Sequence, residues 1–398
     1  MGLIVQKYGG TSVGSPARIK NIADRISRKR DEGNQLVVVV SAMGDTTDEL
    51  IGLARNVSKN PSHREMDMLL TAGERISMAL LSMALADRGV PAISFTGSQT
   101  GIITDGSHRS ARIKKILGDR VRKAIAEKKV AIVAGFQGVS ETKEITTLGR
   151  GGSDTTAVAL ASALGAESCE IYTDVDGVFS ADPRVVAVAK LWPCVSHDVM
   201  VEMATRGAGV LHPRSVELAK QYDVPLIVLN SLSEKLGTKV VSMKGMEEFN
   251  VTGVTADKGK ILVTVELMRP TVLSALFQCS SESHLTIVSP IFSEGVIKFF
   301  TDAESEMEWR KHFEELKAQG FLKSSTIDPL LVPVSVVGNR FSQDGRALNT
   351  VIDILSKEEI PVSIGVASAL AITVAVPRTK AEDAVKVLHR QLVEIGER

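Results

Sequence analysis

The sequence has few cysteines, few aromatic residues and no excess of either charge. Its three cysteines, Cys169, Cys194 and Cys279, lie far apart in a chain of 398 residues and form no C-x-x-C motif. This pattern argues against a disulfide framework or a cysteine-based zinc site, and it predicts a reducing compartment, the cytoplasm. Lys plus Arg and Asp plus Glu both number 47, so no net charge favours a nucleic acid or a membrane as partner.

Long apolar runs and targeting segments are also missing. Lys7 interrupts the short apolar run near the N-terminus, so we expect no signal peptide. The run Val37–Val40 and the stretch from Met78 to Ala86 are too short or too polar to span a bilayer. The seven histidines contain no H-E-x-x-H motif, and we interpret them as ordinary core or surface residues.

The composition is that of an ordinary soluble protein with room for more than one core. Hydrophobic residues make up 44% of the chain and charged residues 24%. At 398 residues the chain exceeds what one core usually supports, so we expect two or more domains.

Short apolar runs alternate with amphipathic stretches over residues 1–230, which is typical of parallel β/α units. The predicted strands are Leu3–Tyr8, Leu36–Val40, Ala92–Phe95, Val130–Ala134, Ser168–Thr173 and Leu226–Leu229. The predicted helices are Pro16–Arg30, Asp48–Val57, Arg64–Arg88, Ser110–Glu127, Thr155–Leu164, Asp198–Arg206 and Pro213–Gln221. Because several strands are apolar throughout, they indicate a sheet buried on both faces. We therefore predict an α/β fold class, with a three-layer αβα domain at residues 1–245.

The rhythm changes after a polar stretch from Ser231 to Glu248, which we interpret as a linker. The first of two later cycles has strands Val251–Thr255, Lys260–Glu266, His284–Ser289 and Gly295–Phe300 and helices Thr271–Ser280 and Ser305–Gln319. The second has strands Leu331–Val337, Val362–Ala367 and Ala369–Val376 and helices Asp344–Lys357 and Lys380–Glu394. Both are close to the βαββαβ pattern of ferredoxin-like folds, and we place them at residues 246–326 and 327–398.

The segment KYGGTSVG, residues 7–14, is the most informative motif. It follows an apolar strand and precedes a helix that we expect to begin at Pro16, with Ser15 as its N-cap. Such a turn points backbone N–H groups and the positive end of a helix dipole at an anion. It is not a Walker motif, and no G-x-G-x-x-G occurs. Because Gly-Gly pairs also form plain turns, this segment alone leaves phosphate binding and a simple turn about equal.

Two further glycine-bearing turns carry charged residues. The segment TTLGRGGSD, residues 146–154, leads into a helix of small residues and contains Arg150 and Asp154. The segment YTDVDGVFSADPR, residues 172–184, follows a strand end and contains Asp174 and Arg184. Ligands of open α/β sheets bind beyond the carboxyl ends of the strands, so three such turns favour a ligand site at that edge.

These three segments resemble the aspartokinases of the amino acid kinase family. The segments SAMGDTT, residues 41–47, and LTAGER, residues 70–75, are similar to signatures of the same family. The resemblance covers nearly all of residues 1–245 and is weaker beyond. There the two ferredoxin-like units resemble the tandem ACT units of aspartokinases, which bind regulatory amino acids; a plain dimerisation module is the equal alternative from topology alone.

The resemblance implies an aspartate kinase that uses ATP and Mg²⁺ to form 4-phospho-L-aspartate, the first step of lysine, threonine and methionine biosynthesis. It implies Lys7 and Asp154 as catalytic residues. It implies that aspartate contacts Thr47, Glu74, Arg150 and Ser153. It implies that the nucleotide contacts Lys7, Tyr8, Gly9, Gly10, Ser41, Thr173, Asp174, Phe179 and Arg184. Magnesium would be held mostly by phosphates and water, so we name no protein ligand for it.

The residue types suit this chemistry. Phosphoryl transfer depends on positioning and on neutralising charge, which the compact ammonium of Lys7 can do. Arg150 offers a bidentate fork for the α-carboxylate of the substrate, and Glu74 offers a carboxylate for its ammonium. The acceptor carboxylate is already ionised at neutral pH, so no general base is required.

Several of these residues also have a purely structural interpretation. Ser41 suits a helix or turn cap, and Asp154 suits a helix cap. Glu74 could be a solvated charge on a long helix, and residues 174–177 could form a plain turn.

The chain departs from the family pattern in two places. Gly209 precedes the segment VLHP, where many aspartokinases have a lysine near the nucleotide. Residues 267–271, LMRPT, lack the lysine and glycine common at that turn of ACT units. Feedback inhibition by lysine or threonine, assembly as an oligomer, and an internal start at Met243 or Met246 that yields a separate regulatory subunit are expectations from the resemblance.

Two rival functions remain. One is an amino acid kinase for another acid, such as glutamate or acetylglutamate. The other is an amino-acid-sensing protein without kinase activity, which the presence of Lys7, Glu74, Arg150 and Asp154 argues against. The missing dinucleotide motif and the chain length argue against a fused homoserine dehydrogenase.

Overall fold

The computed structural model describes residues 2–242, 250–283, 285–339, 341 and 345–395. These residues form two units. The first contains residues 2–178, 191–201 and 209–242, and the second contains residues 179–190, 202–208 and the described residues from 250 onward. The predicted start sites Met243 and Met246, His284 in a predicted strand, and Arg340 with residues 342–344 lie outside the described residues.

The first part of the chain alternates strands and helices, as its sequence predicts. Its strands are β1 (Leu3–Tyr8), β2 (Gln35–Val40), β3 (Ala92–Phe95), β4 (Ile102–Thr104), β5 (Ile113–Ile116), β6 (Val130–Ala134), β7 (Gln137–Ser140), β8 (Ile145–Thr147), β9 (Ser168–Thr173), β10 (Cys194–Ser196), β11 (Leu226–Asn230) and β12 (Thr238–Val241). Its helices are α1 (Pro16–Asp31), α2 (Thr46–Val57), α3 (His63–Leu70), α4 (Ala72–Ala86), α5 (Gly97–Thr100), α6 (Asp119–Ala126), α7 (Gly152–Leu164), α8 (His197–Thr205) and α9 (Pro213–Gln221).

The main sheet of the first unit has the order β10-β12-β11-β9-β1-β2-β6-β3 within the described residues. Its central strands are parallel, and β2 and β6 are buried along nearly their whole length. Residues such as Ile4, Val38 and Ile132 share one core with α1 and α4, while α7 packs on β1, β2 and β9. Because neighbouring residues of a strand point to opposite faces, this places α1 and α4 on one face and α7 on the other. The predicted three-layer αβα arrangement is confirmed.

Several short elements differ from the sequence prediction. A second sheet, β5-β4-β7-β8, lies beside the main one, and the predicted helix Ser110–Glu127 is wrong because its first half forms β5. Gly118, in the left-handed region with φ +71°, separates that strand from α6. The predicted linker from Ser231 contains β12, which pairs with β10 and β11. The strands of this unit that the prediction missed have only three or four residues, and such short strands carry little alternation for a pattern to detect.

The helical stretch His63–Ala86 is long and apolar enough to pass for a membrane span by composition, but half of its most apolar window is buried inside the protein. It consists of α3 and α4, which meet at Thr71, where the sequence predicted one helix from Arg64 to Arg88. Because it also carries the buried carboxylates Asp67 and Glu74, we interpret it as a core element of the first unit.

The second unit contains two four-stranded antiparallel sheets. Its strands are β13 (Asn250–Ala256), β14 (Lys260–Leu267), β15 (Val288–Ser293), β16 (Val296–Asp302), β17 (Leu322–Asp328), β18 (Leu331–Asn339), β19 (Ile364–Ala367) and β20 (Ala371–Pro377). Its helices are α10 (Leu273–Glu282), α11 (Glu306–Ala318), α12 (Arg346–Lys357) and α13 (Ala381–His389). The sheet orders are β15-β16-β14-β17 and β13-β18-β20-β19. Two ferredoxin-like units of ACT type are thereby confirmed.

The two ferredoxin-like units are interleaved in sequence. Strand β13 pairs with β18 and so completes the second sheet, although the sequence pattern placed it in the first cycle. The edge strand of the first sheet is β17, which pairs with β14 and which the prediction missed. The boundary predicted between residues 326 and 327 therefore falls inside β17. Strand pairing between distant segments has no local signature, because an alternating pattern defines a face and not a partner.

Candidate active site

Four parallel strands of the first unit end at the same edge of the main sheet. Tyr8 pairs with Val40 on one side and with Tyr172 on the other, and Val40 pairs with Ala134. The residues that follow Tyr8, Val40, Ala134 and Tyr172, namely Gly9, Ser41, Gly135 and Thr173, are therefore brought to one line. Three of these four were predicted as site residues, and the register of the sheet brings them together.

Lys7 and Asp154 form an ion pair at this edge. Lys7 Nζ lies 2.6 Å from Asp154 Oδ1, and the side chains are only 12% and 11% exposed. Asp154 is the third residue of α7, whose N-cap is Gly151. Its alternative interpretation as a cap is therefore wrong, although its charge still lies at the positive end of the helix dipole.

The glycine turn after β1 packs closely around this pair. A Cβ on Gly9 would lie 3.4 Å from Lys7 Nζ, and one on Gly10 would lie 3.0 Å from the carbonyl oxygen of Ala42. Helix α1 then begins at Pro16, with the Ser15 hydroxyl accepting from Arg18 N at 3.3 Å, as predicted. The absence of side chains at Gly9 and Gly10 lets the backbone of this turn approach a ligand, although the N–H of Gly9 itself donates to the carbonyl oxygen of Tyr172 at 3.2 Å.

Tyr8 and Ser41 contribute to this edge in different ways. The ring of Tyr8 is fully buried and stacks on Tyr172 at 4.6 Å between centroids, so its side chain belongs to the core. Its carbonyl oxygen accepts from Ser41 N at 3.1 Å. Ser41 is partly exposed at the end of β2, where its hydroxyl can meet a ligand.

Glu74 lies buried in α4 next to the end of β2. It is 3% exposed, and its Oε1 accepts from Ala42 N at 3.3 Å, while Oε2 has no hydrogen-bond partner among the described residues. Burial raises the pKa of this carboxyl from 4.5 to about 7, against the lowering effect of backbone hydrogen bonds. The interpretation of Glu74 as a solvated surface charge is therefore wrong. A buried carboxylate with one unsatisfied oxygen suits a cationic ligand group.

The loop before α7 carries Arg150 and is tightly constrained. Gly149 and Gly151 adopt positive φ of +78° and +66°. A Cβ on Gly151 would lie 2.1 Å from the His212 ring, so only glycine fits there. Arg150 is exposed between these two glycines, and Ser153 is buried, with its Oγ 2.7 Å from the position that a Cβ on Gly135 would take. The loop thus presents one arginine from a fixed backbone.

The other predicted substrate residue, Thr47, lies in the first turn of α2 and is partly exposed. Its neighbour Thr46 is near Gly73, because a Cβ on Gly73 would lie 3.7 Å from Thr46 Cγ2. Thr47 therefore lies near the start of α4, at the same part of the sheet edge as Glu74.

The predicted nucleotide residues divide between the two units. Thr173 ends β9, and its hydroxyl donates to Asp174 at 3.2 Å. Phe179 and Arg184 belong to the segment 179–190 of the second unit, and the Arg184 side chain pairs with Asp182 at 2.7 Å. The first unit alone therefore does not contain the whole predicted nucleotide set.

Sequence reasoning missed three residues that shape this site. His212 packs against Gly151, and its Nδ1 is buried without a hydrogen-bond partner in the described structure. Burial lowers the pKa of His212, which favours the neutral ring. Arg214 donates to the carbonyl oxygens of Leu148 and Ala111, and Asp67 accepts from Thr147. The one available signal was Asp67 itself, a charge inside the apolar run Met66–Leu70.

Comparisons with known proteins agree with this geometry. The model of the amino acid kinase family matches residues 2–230. Aspartokinase from Geobacillus stearothermophilus is 43% identical over 398 residues, covering 98% of this chain and 97% of that protein. Aspartokinase 2 from Bacillus subtilis is 43% identical over 397 residues, with the same coverage. The crystal structure of Escherichia coli aspartokinase III in complex with aspartate and ADP superimposes with a TM-score of 0.83 at 25% identity, covering 98% of this chain and 99% of that one.

The fold and the family model together define the class: the chain belongs to the amino acid kinase family. Within that family, the identity over its whole length places it among the aspartokinases. The resemblance inferred from its motifs is thereby confirmed.

Proposed function

We propose that this chain transfers the γ-phosphoryl group of ATP to the β-carboxylate of L-aspartate and forms 4-phospho-L-aspartate, the first step of lysine, threonine and methionine biosynthesis. The observation that carries this proposal is the Lys7–Asp154 ion pair, which lies beside a glycine turn at the sheet edge that Glu74 also borders. Membership in the aspartokinases supports the choice of aspartate over other acids.

Lys7 is the group that neutralises the transferred phosphoryl. Its ammonium is fixed by Asp154 at 2.6 Å, so it does not have to be ordered when ATP binds. Fixed charges are most effective where negative charge develops during transfer. Asp154 acts by orienting the lysine, and the N-terminus of α7 adds its positive dipole to the same place.

Glu74 and Arg150 recognise the two α-substituents of aspartate. Arg150 binds the α-carboxylate through its guanidinium fork, and Glu74 binds the α-ammonium through its unsatisfied oxygen. Thr47 and Ser153 supply hydroxyl groups on either side. The β-carboxylate is then directed at the phosphoryl group, and it attacks as an anion without a general base.

ATP lies along the carboxyl ends of the strands. The backbone of Gly9 and Gly10 with Ser41 contacts its phosphates, and Thr173 with Asp174 contacts its ribose and base. Gly209 has φ of +67°, so the loop before α9 is built around a glycine where many relatives have a lysine. The nucleotide contacts of Phe179 and Arg184 stay predictions from the family resemblance, because both residues belong to the second unit.

Magnesium would accompany the triphosphate. Within the described residues, no group of three or more His, Cys, Asp or Glu side chains is arranged to hold a metal ion. A divalent ion at this edge would neutralise phosphate charge and take most of its ligands from phosphate oxygens and water. We assign it no protein ligand.

The second unit is regulatory in this proposal. Its two ferredoxin-like units are of ACT type, and we infer that they bind lysine, threonine or both and pair with another copy in an oligomer. Titration of the purified enzyme with each amino acid, alone and together, tests regulation. Rates that stay unchanged would reject it, and sedimentation in parallel tests assembly.

A coupled assay of ADP release tests the catalytic proposal. L-aspartate, L-glutamate and N-acetyl-L-glutamate are supplied separately with ATP and Mg²⁺. We expect ADP release that depends on aspartate alone. Release with another acid would indicate a different amino acid kinase, and no release with any acid would favour a sensing protein.

A further inference from the structure

Asp67 is a buried carboxylate that the proposed chemistry does not use. It lies in α3 with its side chain 0% exposed, between the buried apolar residues Met66 and Leu70. Burying a carboxylate is costly unless its oxygens accept hydrogen bonds, so its partners show what it organises.

The carboxylate of Asp67 binds groups from two other segments of the chain. Its Oδ1 accepts from Thr147 Oγ1 at 2.6 Å and from Arg109 N at 3.1 Å. Its Oδ2 accepts from Arg109 N at 3.2 Å and lies 2.7 Å from His108 Nδ1. Asp67 therefore joins α3 to strand β8 and to the segment around residue 109.

Both segments border the loop that carries Arg150. Thr147 is the last residue of β8, and Leu148 follows it with its carbonyl oxygen held by Arg214 at 2.8 Å. A Cβ on the next residue, Gly149, would lie 2.9 Å from the carbonyl oxygen of Arg109. Arg109 itself has a positive φ of +67°, an uncommon conformation for a side-chain-bearing residue. Its hydrogen bond to Asp67 holds it there, and so it forms the wall against which Gly149 fits.

We propose that Asp67 is a positioning residue for Arg150. It fixes Thr147 on one side of the loop and Arg109 on the other, and thereby sets where the guanidinium meets the α-carboxylate of the acceptor. The inference rests on the proposed function, because it concerns the residue that we assign to substrate recognition. Asp67 touches neither substrate nor nucleotide.

The variant Asp67→Asn tests this role. The amide has nearly the same shape, but it is uncharged and its Nδ2 end donates, so the oxygen that accepts from Arg109 N and faces His108 Nδ1 is lost. We expect the KM for aspartate to rise about 10- to 100-fold and the KM for ATP to change less than about twofold. Equal increases in both constants, or no increase in either, would overturn the inference.

A second buried carboxylate provides the control for a purely structural effect. Glu170 is 5% exposed and accepts from Gln6 Nε2 and Tyr172 OH, away from the Arg150 loop. We expect both Glu170→Gln and Asp67→Asn to lower the melting temperature. Only Asp67→Asn should raise the KM for aspartate. If both variants raise this KM equally, Asp67 acts only through stability.

A double-mutant cycle separates action through Arg150 from any other route. In an Arg150→Ala background, Asp67→Asn should raise the KM for aspartate by less than about threefold, because the residue that it positions is gone. The full effect in that background would contradict the proposal.

Thr147 provides a test if Asp67→Asn fails to fold. Thr147→Ser keeps the hydroxyl that donates to Asp67 and should retain the KM for aspartate, whereas Thr147→Val should raise it. Equal constants in these two variants would overturn the inference. The wild-type protein is assayed first: inactivity towards aspartate overturns the proposed function, while an active wild type with unaffected variants overturns only the role of Asp67.

Discussion

Lys7 Nζ lies 2.6 Å from Asp154 Oδ1, so an ammonium on β1 is tied to a carboxylate in the first turn of α7. The pair connects a strand that ends at the glycine turn with the helix that follows the arginine loop. Because both side chains are largely buried, either charge left alone would lack most of its solvation. This relationship joins the nucleotide side of the proposed site to its acceptor side.

Replacing Lys7 tests the catalytic assignment. Lys7→Ala should lower turnover by roughly 10³-fold or more, because it removes a preorganised charge at the transferred phosphoryl. The circular dichroism spectrum should stay that of a folded protein, although the melting temperature should fall because Asp154 loses its partner. Lys20→Ala, at an exposed position of α1, is the matched control and should keep wild-type turnover. Near-normal turnover of Lys7→Ala would remove Lys7 from the mechanism.

Aspartate binding should depend on the ionisation of Glu74. Burial raises the pKa of this carboxyl to about 7, and only its ionised form attracts the α-ammonium of the substrate. The KM for aspartate should therefore fall as the pH rises from 6 to 8, with a midpoint of about 7. In Glu74→Gln this pH dependence should disappear and the KM should stay high. If the KM for aspartate depends on pH in Glu74→Gln as it does in wild type, a group other than Glu74 is responsible.

The same burial predicts how stability changes with pH. The folded pKa of Glu74 lies above its unfolded value, so the native state holds the extra proton between pH 4.5 and about 7. The free energy of unfolding contributed by this group therefore falls as the pH rises through that window. A rise from 4.5 to about 7 corresponds to a cost of roughly 3 kcal/mol for the charged form.

At pH 8 the free energy of unfolding of Glu74→Gln should exceed that of wild type by roughly 1–2 kcal/mol, because a weaker hydrogen bond from Ala42 N offsets part of the gain. At pH 5 the two values should be nearly equal. Denaturant unfolding at both pH values measures this. Glu49→Gln, at an exposed position of α2, should show no such difference. A wild-type protein more stable than Glu74→Gln at pH 8 would contradict the view that the ionised Glu74 carboxylate is destabilised by burial.

Two glycines that flank α7 provide a matched pair for the arginine loop. Gly151 and Gly165 have φ of +66° and +65°, but a Cβ would meet His212 at 2.1 Å in the first case and nothing within 4 Å in the second. Gly165→Ala should cost only about 1 kcal/mol of backbone strain. Gly151→Ala should displace the loop and lower kcat/KM for aspartate about 100-fold. Equal kinetics of the two variants would show that the loop tolerates the displacement.

The interleaved second unit predicts different behaviour of two fragments. A fragment of residues 246–398 retains β13, whereas one of residues 258–398 leaves the β18 edge unpaired. Both fragments lack residues 179–190 and 202–208 of the second unit. We expect the longer fragment to melt at a higher temperature than the shorter one, whose β18 edge is open to aggregation. Equal melting curves would show that β13 is dispensable to its sheet.

The sequence predicted the central strands and the charged residues of the site because these features are local. Val37–Val40 is apolar throughout, and Lys7 stands beside its glycines in one segment. The register of parallel strands then follows from packing and brings Gly9, Ser41 and Thr173 to one edge.

What the sequence could not predict depends on contacts between distant segments. The burial of Glu74 is set by α4 lying against the end of β2, and the partners of Asp67 come from β8 and from residues 108–109. The pairing of β13 with β18 crosses a whole ferredoxin-like unit. Hydrophobic periodicity gives the buried face of each element but not the element that covers it.

Trapping the reaction product with hydroxylamine tests the central claim most directly. An acyl phosphate on aspartate would be converted to a hydroxamate, and mass spectrometric fragmentation would show which carboxyl carries it. We predict β-hydroxamate of aspartate that requires ATP and is lost in both Lys7→Ala and Arg150→Ala. No hydroxamate from the wild-type protein, or one formed on glutamate in place of aspartate, would contradict the account.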